Sequence, residues 1–165
     1  MHAKYPLLNL QKHCVCVVLA LQRTSLWFHH SMGRKQDGSV WATTGWNKYG
    51  QLGDGSTTDQ LIFVEAFPCA AKSVTAGWHH SLILRWDGSL WSSGSNIQGQ
   101  LGDGTTVSEN VFVQEMSENV EAVAGGGQHT LVLDRCGGVW GAGSNSCGQL
   151  GDDSNDDRKN FLQLI

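Results

Sequence analysis

Histidine is the residue type whose spacing in this chain of 165 residues first invites a chemical reading. His29-His30, His79-His80 and His129 return at intervals of 49 or 50 residues. Imidazoles gathered into a ring bind metal ions. A residue that returns at one place in every unit of an array, however, more simply builds the unit, its ring bonded to backbone in the interior. On that reading His30, His80 and His129 are structural. His29 and His79 are loop residues, because the last copy carries Gln128 there.

The other chemical candidates fall away in turn. Asp152-Asp153-Ser154-Asn155-Asp156-Asp157 invites a calcium reading, but an EF-hand loop needs glycine at its sixth position and an acid at its twelfth. Counted from Asp152 the sixth residue is Asp157, and from Asp153 it is Arg158, so the segment reads as a solvated acidic loop. Gly125-Gly126-Gly127 precedes a strand-like run and does not open a helix, so it is no phosphate loop. No nucleophile, base and orienting group stand at a telling spacing. The expectation is a chain with no catalytic residue, no cofactor and no metal.

Composition narrows the class further. Charged residues make up 16 % of the chain and apolar residues 40 %, with 21 Gly, 7 Trp and only 2 Pro. Many glycines and aromatics with few charges suit short buried strands joined by tight turns, and so few prolines argue against a disordered tract. Residues 1–86 hold eight Lys/Arg and four Asp/Glu, whereas residues 87–165 hold three and eleven, so a net +4 is followed by a net −8. No basic cluster tracks a phosphate backbone, which excludes direct nucleic-acid binding by charge. Cys14, Cys16, Cys69, Cys136 and Cys147 are odd in number and form no Cys-x-x-Cys, which predicts free, mostly buried thiols in a reducing, intracellular compartment, cytoplasmic or nuclear. The longest apolar run, residues 14–21, is far short of the ~18 residues of a membrane helix.

What must position these residues is a repeat. Gly-Gln-Leu-Gly-Asp begins at Gly50, Gly99 and Gly148, a step of 49 residues each time. Residues 74–108 match residues 123–157 at 15 of 35 positions, too many for unrelated segments of one chain. Each unit reads as four short strands. In the second they are Val74-Thr75-Ala76, His80-Ser81-Leu82-Ile83-Leu84, Ser89-Leu90-Trp91-Ser92-Ser93 and Val111-Phe112-Val113. Asp37-Gly38 and Asp87-Gly88 predict hairpins with type I′ turns, and Cys136-Gly137 keeps the glycine. Leu61-Ile62-Phe63-Val64 is the expected fourth strand of the first unit, with Phe63, Phe112 and Phe161 in register. Four strands per 49 residues is the sequence form of a β-propeller blade. The predicted units are 26–73, 74–122 and 123–165, an all-β, open array of about three blades. Residues 1–25 do not repeat; Val15-Val17-Leu19-Leu21 predicts one edge strand there.

The glycines Gly50, Gly53, Gly99, Gly102, Gly148 and Gly151 bracket Gln-Leu, predicting positive-φ turns that let the Leu plug the blade. Trp41, Trp91 and Trp140 predict packing between blades. Binding falls to the less regular positions of the same loops, because loops held by a rigid scaffold carry recognition. The candidates are Trp46, Asn47, Lys48 and Tyr49, then Ile97 and Gln98, then Ser146 and Cys147.

Two strings carry a family resemblance. Val74-Thr75-Ala76-Gly77-Trp78-His79-His80-Ser81-Leu82-Ile83-Leu84 and Val123-Ala124-Gly125-Gly126-Gly127-Gln128-His129-Thr130-Leu131-Val132-Leu133 resemble the signature of the regulator of chromosome condensation repeat, as does the run from Trp91 to Gly102. The resemblance covers about residues 26–165 and implies a seven-bladed propeller, of which this chain holds about three blades. The first unit departs from it, with Ser25-Leu26-Trp27 before the His, Gly33-Arg34-Lys35 after it, and one residue inserted near Thr43-Thr44. Gly77-Trp78-His79-His80-Ser81 is similar to a Gly-Trp-Arg-His-Thr element of the family's photoreceptor branch, but the Arg is absent and the element occurs once. The resemblance implies a non-catalytic scaffold for protein partners. Its alternatives are part of a guanine-nucleotide exchange factor acting on a small GTPase, or the recognition repeats of a HECT-type ubiquitin ligase. Exchange in the family depends on a projecting β-wedge, for which the constant step between units two and three leaves no room. The remaining blades are expected in a longer polypeptide or supplied by self-association.

Overall fold

The structure, a computed structural model, describes residues 21–27, 30–42, 45–68 and 70–165. All but the last residue of the strand expected over residues 15–21, His29, the insertion at Thr43-Thr44 and the cysteines 14, 16 and 69 fall outside those residues. Among the described residues twelve strands form three four-stranded antiparallel sheets, each a simple meander. The first holds β1 (Leu21–Trp27), β2 (His30–Lys35), β3 (Val40–Ala42) and β4 (Val64–Phe67). The second holds β5 (Ala71–Ala76), β6 (His80–Arg85), β7 (Leu90–Gly94) and β8 (Glu109–Met116). The third holds β9 (Val120–Gly125), β10 (His129–Asp134), β11 (Val139–Gly143) and β12 (Arg158–Gln163). These are three propeller blades in an open array, with no helix among the described residues.

The second sheet buries both faces because its blade is packed between its neighbours, and the sequence shows it. Along β6 the residues His80, Leu82 and Leu84 point toward the third blade, while Ser81 and Ile83 point toward the first. All five are buried, which is why this strand is apolar throughout instead of alternating. Met32 and Val40 of the first blade pack with Ala71, Val74, Ile83 and Phe112 of the second. Leu82, Leu84 and Leu90 of the second pack with Val120 and Val132 of the third, and with Trp140 and Phe161 at the margin. Each fully buried Leu or Ile contributes about 1.5–3 kcal/mol.

Two local expectations are corrected. The turns at Gly38, Gly88 and Gly137 are not type I′, since only the glycine takes positive φ (84°, 88° and 90°) and the residue before it does not. Gly38 N donates to Lys35 O and Lys35 N to Ser39 O, which is a type I turn followed by a glycine bulge. Asp37 selects that turn, its Oδ1 accepting from Ser39 N at 2.9 Å and from Ser39 Oγ at 2.7 Å. Those two bonds hold its carboxyl below the usual range. Asp134 does the same work in the third blade from the other end of its turn, accepting from Cys136 N and Gly138 N.

The second correction concerns Leu61-Ile62-Phe63, which lies before β4 and not within it. These side chains are 87 %, 70 % and 36 % exposed, whereas Phe112 in the same register is 8 % exposed. An apolar run joins a blade only where a neighbouring blade covers it.

Candidate functional site

The antiparallel meander places the β3–β4, β7–β8 and β11–β12 loops at one end of the array, together with the short β5–β6 and β9–β10 connections. The glycine hairpins and the inter-blade linkers share the other end, where Ala71 N donates to Gly38 O and Val120 N to Gly88 O.

The long loops are held rigid by one repeated network. Asn47, Asn96 and Asn145 are each fully buried. Their Oδ1 atoms accept from Leu52 N, Leu101 N and Leu150 N at 2.9–3.0 Å. Their amide groups donate to Asp54, Asp103 and Asp152. Gln51, Gln100 and Gln149 take the amide N–H of Tyr49, Gln98 and Cys147. The leucines are thereby driven into the blades, at 0 %, 0 % and 4 % exposure. The bracketing glycines all have positive φ, from 68° to 84°. At Gly53 and Gly102 space demands glycine as well, because a Cβ would collide with the Phe112 and Phe161 rings of the next blade.

The acidic segment of the third blade belongs to this network. Asp152 accepts from Ser154, Asn145 and Arg158, and these bonds, Ser154 first, hold its carboxyl down to about 2. Asp157 Oδ1 caps Asn145 N at 2.7 Å, as Asp59 caps Asn47 N. The Asp152 and Asp157 carboxylates are spent on loop geometry. Among the described residues no group of three His, Cys, Asp or Glu side chains is arranged to hold a metal.

The histidines bond differently from the sequence expectation. The ring of His80 reaches a hydroxyl on the neighbouring blade, Thr130 Oγ1, at 3.1 Å, and the His30 ring reaches Ser81 Oγ at 2.8 Å. Gly77 lies directly against the His80 ring, with no room for a Cβ. Burial holds the His80 imidazole down to about 3, so it is neutral. The Trp rings anchor through Nε1, Trp41 to Ser39, Trp91 to Ser89 and Trp140 to Asp134. Trp91 stacks edgewise on Phe67 at 5.4 Å, between blades one and two. Trp41 instead lies under Lys35 Nζ, 3.6 Å from its centroid.

The candidate contact residues separate into three groups. Trp46 and Tyr49 converge on His79 of the second blade, with centroids 4.8 and 5.5 Å away and 5.5 Å from each other. Lys48, Ile97, Ser146 and Cys147 are exposed and Gln98 half-buried on the same end. Asn47 is removed from the set, since it is buried and fully engaged in the loop network. Sequence reasoning also passed over Trp78, which is 47 % exposed. Its backbone N–H donates to Gly127 O at 3.1 Å and its ring lies over Gly127. The available signal was a Trp at a loop apex where the next unit has Gly. The two described cysteines, Cys136 and Cys147, are free and exposed rather than buried.

A groove of about 630 Å³ runs along the inner strands, bordered by Arg34, Lys72, Trp86 and Glu121. Its charges are engaged within the fold, Lys72 with Glu121 at 3.1 Å and Arg34 Nη1 with Ala71 O at 3.5 Å. The aromatic end is therefore the better candidate surface.

Comparison with known proteins agrees with this geometry. The chain is 38 % identical over 82 residues to the E3 ubiquitin-protein ligase MYCBP2 of Danio rerio, covering 48 % of this chain and 2 % of that protein. It is 38 % identical over 72 residues to the ultraviolet-B receptor UVR8 of Arabidopsis thaliana, covering 42 % of this chain and 16 % of the receptor. It superimposes on human WBSCR16 with a TM-score of 0.76 at 24 % identity, over 88 % of this chain and 39 % of that one. Yeast RCC1 (Prp20), solved bound to Kap60, gives 0.76 at 19 % identity, over 88 % and 37 %. These structural likenesses show the fold alone, and the chain spans less than two-fifths of each. One family model, the regulator of chromosome condensation (RCC1) repeat, matches residues 37–84 and 87–133, and a second of the same description matches residues 71–100 and 120–149. With more than half of its length matched, the chain belongs to the regulator of chromosome condensation repeat family.

Proposed function

We propose that the chain is a non-catalytic propeller array that presents its aromatic loop end to other proteins inside the cell. The observation that carries this reading is the Trp46, Tyr49 and His79 cluster beside the exposed Trp78. Buried anchors at binding interfaces are most often Trp, Tyr and Arg. The loop that holds Trp46 and Tyr49 is fixed by the Asn47 and Gln51 bonds, so little entropy is lost there on docking.

A second reading is supported by one solved relative, Prp20p of Saccharomyces cerevisiae, whose structure is described with its binding to Gsp1p and histones. Part of a nucleotide-exchange factor would present a similar fold. The twelve described strands all belong to the three blades, and none forms a projecting wedge, which favours the scaffold.

A photo-reactive side chain at Ile97, on the aromatic end, tests the reading against one at Asp87, on the hairpin end. Protein adducts should form from Ile97. Adducts confined to Asp87 overturn the choice of surface. Acceleration of nucleotide release across a panel of small GTPases overturns the non-catalytic reading.

A further inference from the structure

Gln51, Gln100 and Gln149 stand at one register and begin in one way. Each side-chain Oε1 accepts from the backbone N–H two residues earlier, at 3.1, 3.0 and 2.9 Å. In the second and third blades the other half of the amide is used as well. Gln100 Nε2 donates to Ser95 Oγ at 3.3 Å, and Gln149 Nε2 to Ser144 Oγ at 3.2 Å. The first blade has Trp46 in the place of that serine. Gln51 is fully buried, and among the described residues no acceptor meets its Nε2. A buried donor without a partner costs stability, and native folds leave few of them.

This N–H lies at the boundary between the first two blades. Gln51 packs against Gly94 of the second blade, and its carbonyl takes the Ser81 hydroxyl at 2.6 Å. Trp46 starts from the serine's position and leans edgewise on His79, 4.8 Å away, with Tyr49 against both rings. One position therefore gives up a buried hydrogen bond and places an aromatic ring at the loop end. Natural chains break a local rule in this way chiefly where a site is built.

What the site offers decides what it takes. One N–H donor between aromatic rings suits a single acceptor oxygen on a planar, largely apolar group. A carboxylate would bury a full charge on one amide donor, which is costly. An amide carbonyl brings the acceptor without the charge.

We propose that Gln51 Nε2 and the Trp46, Tyr49 and His79 rings form a subsite that takes one amide carbonyl of a protein partner, from its backbone or from an Asn or Gln side chain. The subsite rests on the reading of the aromatic end as the contact surface. Entry of the carbonyl requires the half-buried Trp46 indole to turn away from His79.

The test uses the whole isotope-labelled chain and follows the side-chain amide protons of Gln51, Gln100 and Gln149 by NMR. The probes are N-methylacetamide for a backbone carbonyl, acetamide for a side-chain carbonyl and acetate for a carboxylate. At least one amide should move the Gln51 signal to saturation, and the stronger of the two assigns the source. Gln100 and Gln149, which already have a serine acceptor, should stay in place. Trp46→Ser restores the serine of the other blades, so its Gln51 signal should move to the range of Gln100 and stop responding. The subsite is overturned if neither amide moves Gln51, if acetate moves it more than both, or if a bound water stays on its amide throughout the titration. It is equally overturned if Trp46→Ser responds as the wild type does. The photo-reactive side chain at Ile97 keeps the two readings apart. Adducts there with an unresponsive Gln51 overturn the subsite alone, whereas a responding Gln51 with adducts confined to Asp87 overturns the choice of surface.

Discussion

The imidazole of His80 in the second blade lies 3.1 Å from the hydroxyl of Thr130 in the third. That hydroxyl spends its single proton on the carbonyl of Gln100, back in the second blade. The imidazole must therefore donate its Nε2–H, which fixes the tautomer. His30, Ser81 and Gln51 repeat the arrangement one blade earlier. Each link crosses a blade boundary twice.

Replacing His80 with Ala leaves the Thr130 hydroxyl short of a donor in a buried site. Urea unfolding should show a loss of about 1–3 kcal/mol. An unchanged midpoint with lost partner binding would show that the residue serves recognition instead.

Burial holds the folded-state value for His80 down to about 3 from an ordinary 6.5. The unfolded chain therefore takes up a proton first. The stability this neutral ring contributes is intact above about 6.5 and is lost as pH falls toward 3. His80→Gln should flatten that part of the pH dependence in denaturant titrations at pH 7 and pH 4.

Glu115 gives the opposite slope. Burial is the main cause that pushes its carboxyl up to about 7; the nearby Asp103 and Glu109 add to it, against the bond from Ser92 Oγ at 2.7 Å. A raised acid favours folding most fully below its unfolded value, and that contribution is lost as pH rises through about 7. Glu115→Gln keeps an acceptor for Ser92 and removes the charge. It should melt higher than wild type at pH 8 and no higher at pH 4.

Gly53 and Gly151 share a positive φ, 68° and 72°, but only Gly53 has a Phe ring against it. Gly151→Ala should cost about 1–2 kcal/mol from backbone strain. Gly53→Ala should cost a further 1–3 kcal/mol, roughly, from overpacking against Phe112. Equal losses in calorimetry would show that the ring does not set the requirement.

Trp78→Ala removes an exposed ring above Gly127. The melting temperature should stay within a few degrees of wild type. Capture of a protein partner by the immobilised chain should fall by about thirtyfold, the loss of roughly 2 kcal/mol expected at an anchor. Undiminished capture would move the contact surface away from this loop.

The blades were legible because a fold built by repetition writes its scaffold into the chain at a fixed step. Histidines, glycines, leucines and tryptophans returned together and marked the scaffold, but the return did not give their partners: the His30 and His80 rings meet side-chain hydroxyls and Trp41 lies against Lys35. Asn47 misled for the same reason in reverse. It was grouped with variable neighbours, although Asn96 and Asn145 stand at its register and all three are buried. Trp78 was missed because it appears once, and a single exposed ring leaves no periodic trace. The turn type at Asp37-Gly38 was misread because the dipeptide fits two turns, and the pairing of Lys35 with Ser39 chose between them.

By itself the sequence determined the blade, its length and the residues that build it, since these depend on contacts that recur within 49 residues. Tertiary structure alone decided what joins one blade to the next. The His80 ring meets Thr130, Phe112 meets Gly53, and Trp46 meets His79, because neighbouring blades bring residues 30 to 60 positions apart into contact. No local pattern encodes such meetings. They arise from the packing of one complete sheet against another, which is also where the candidate surface is made.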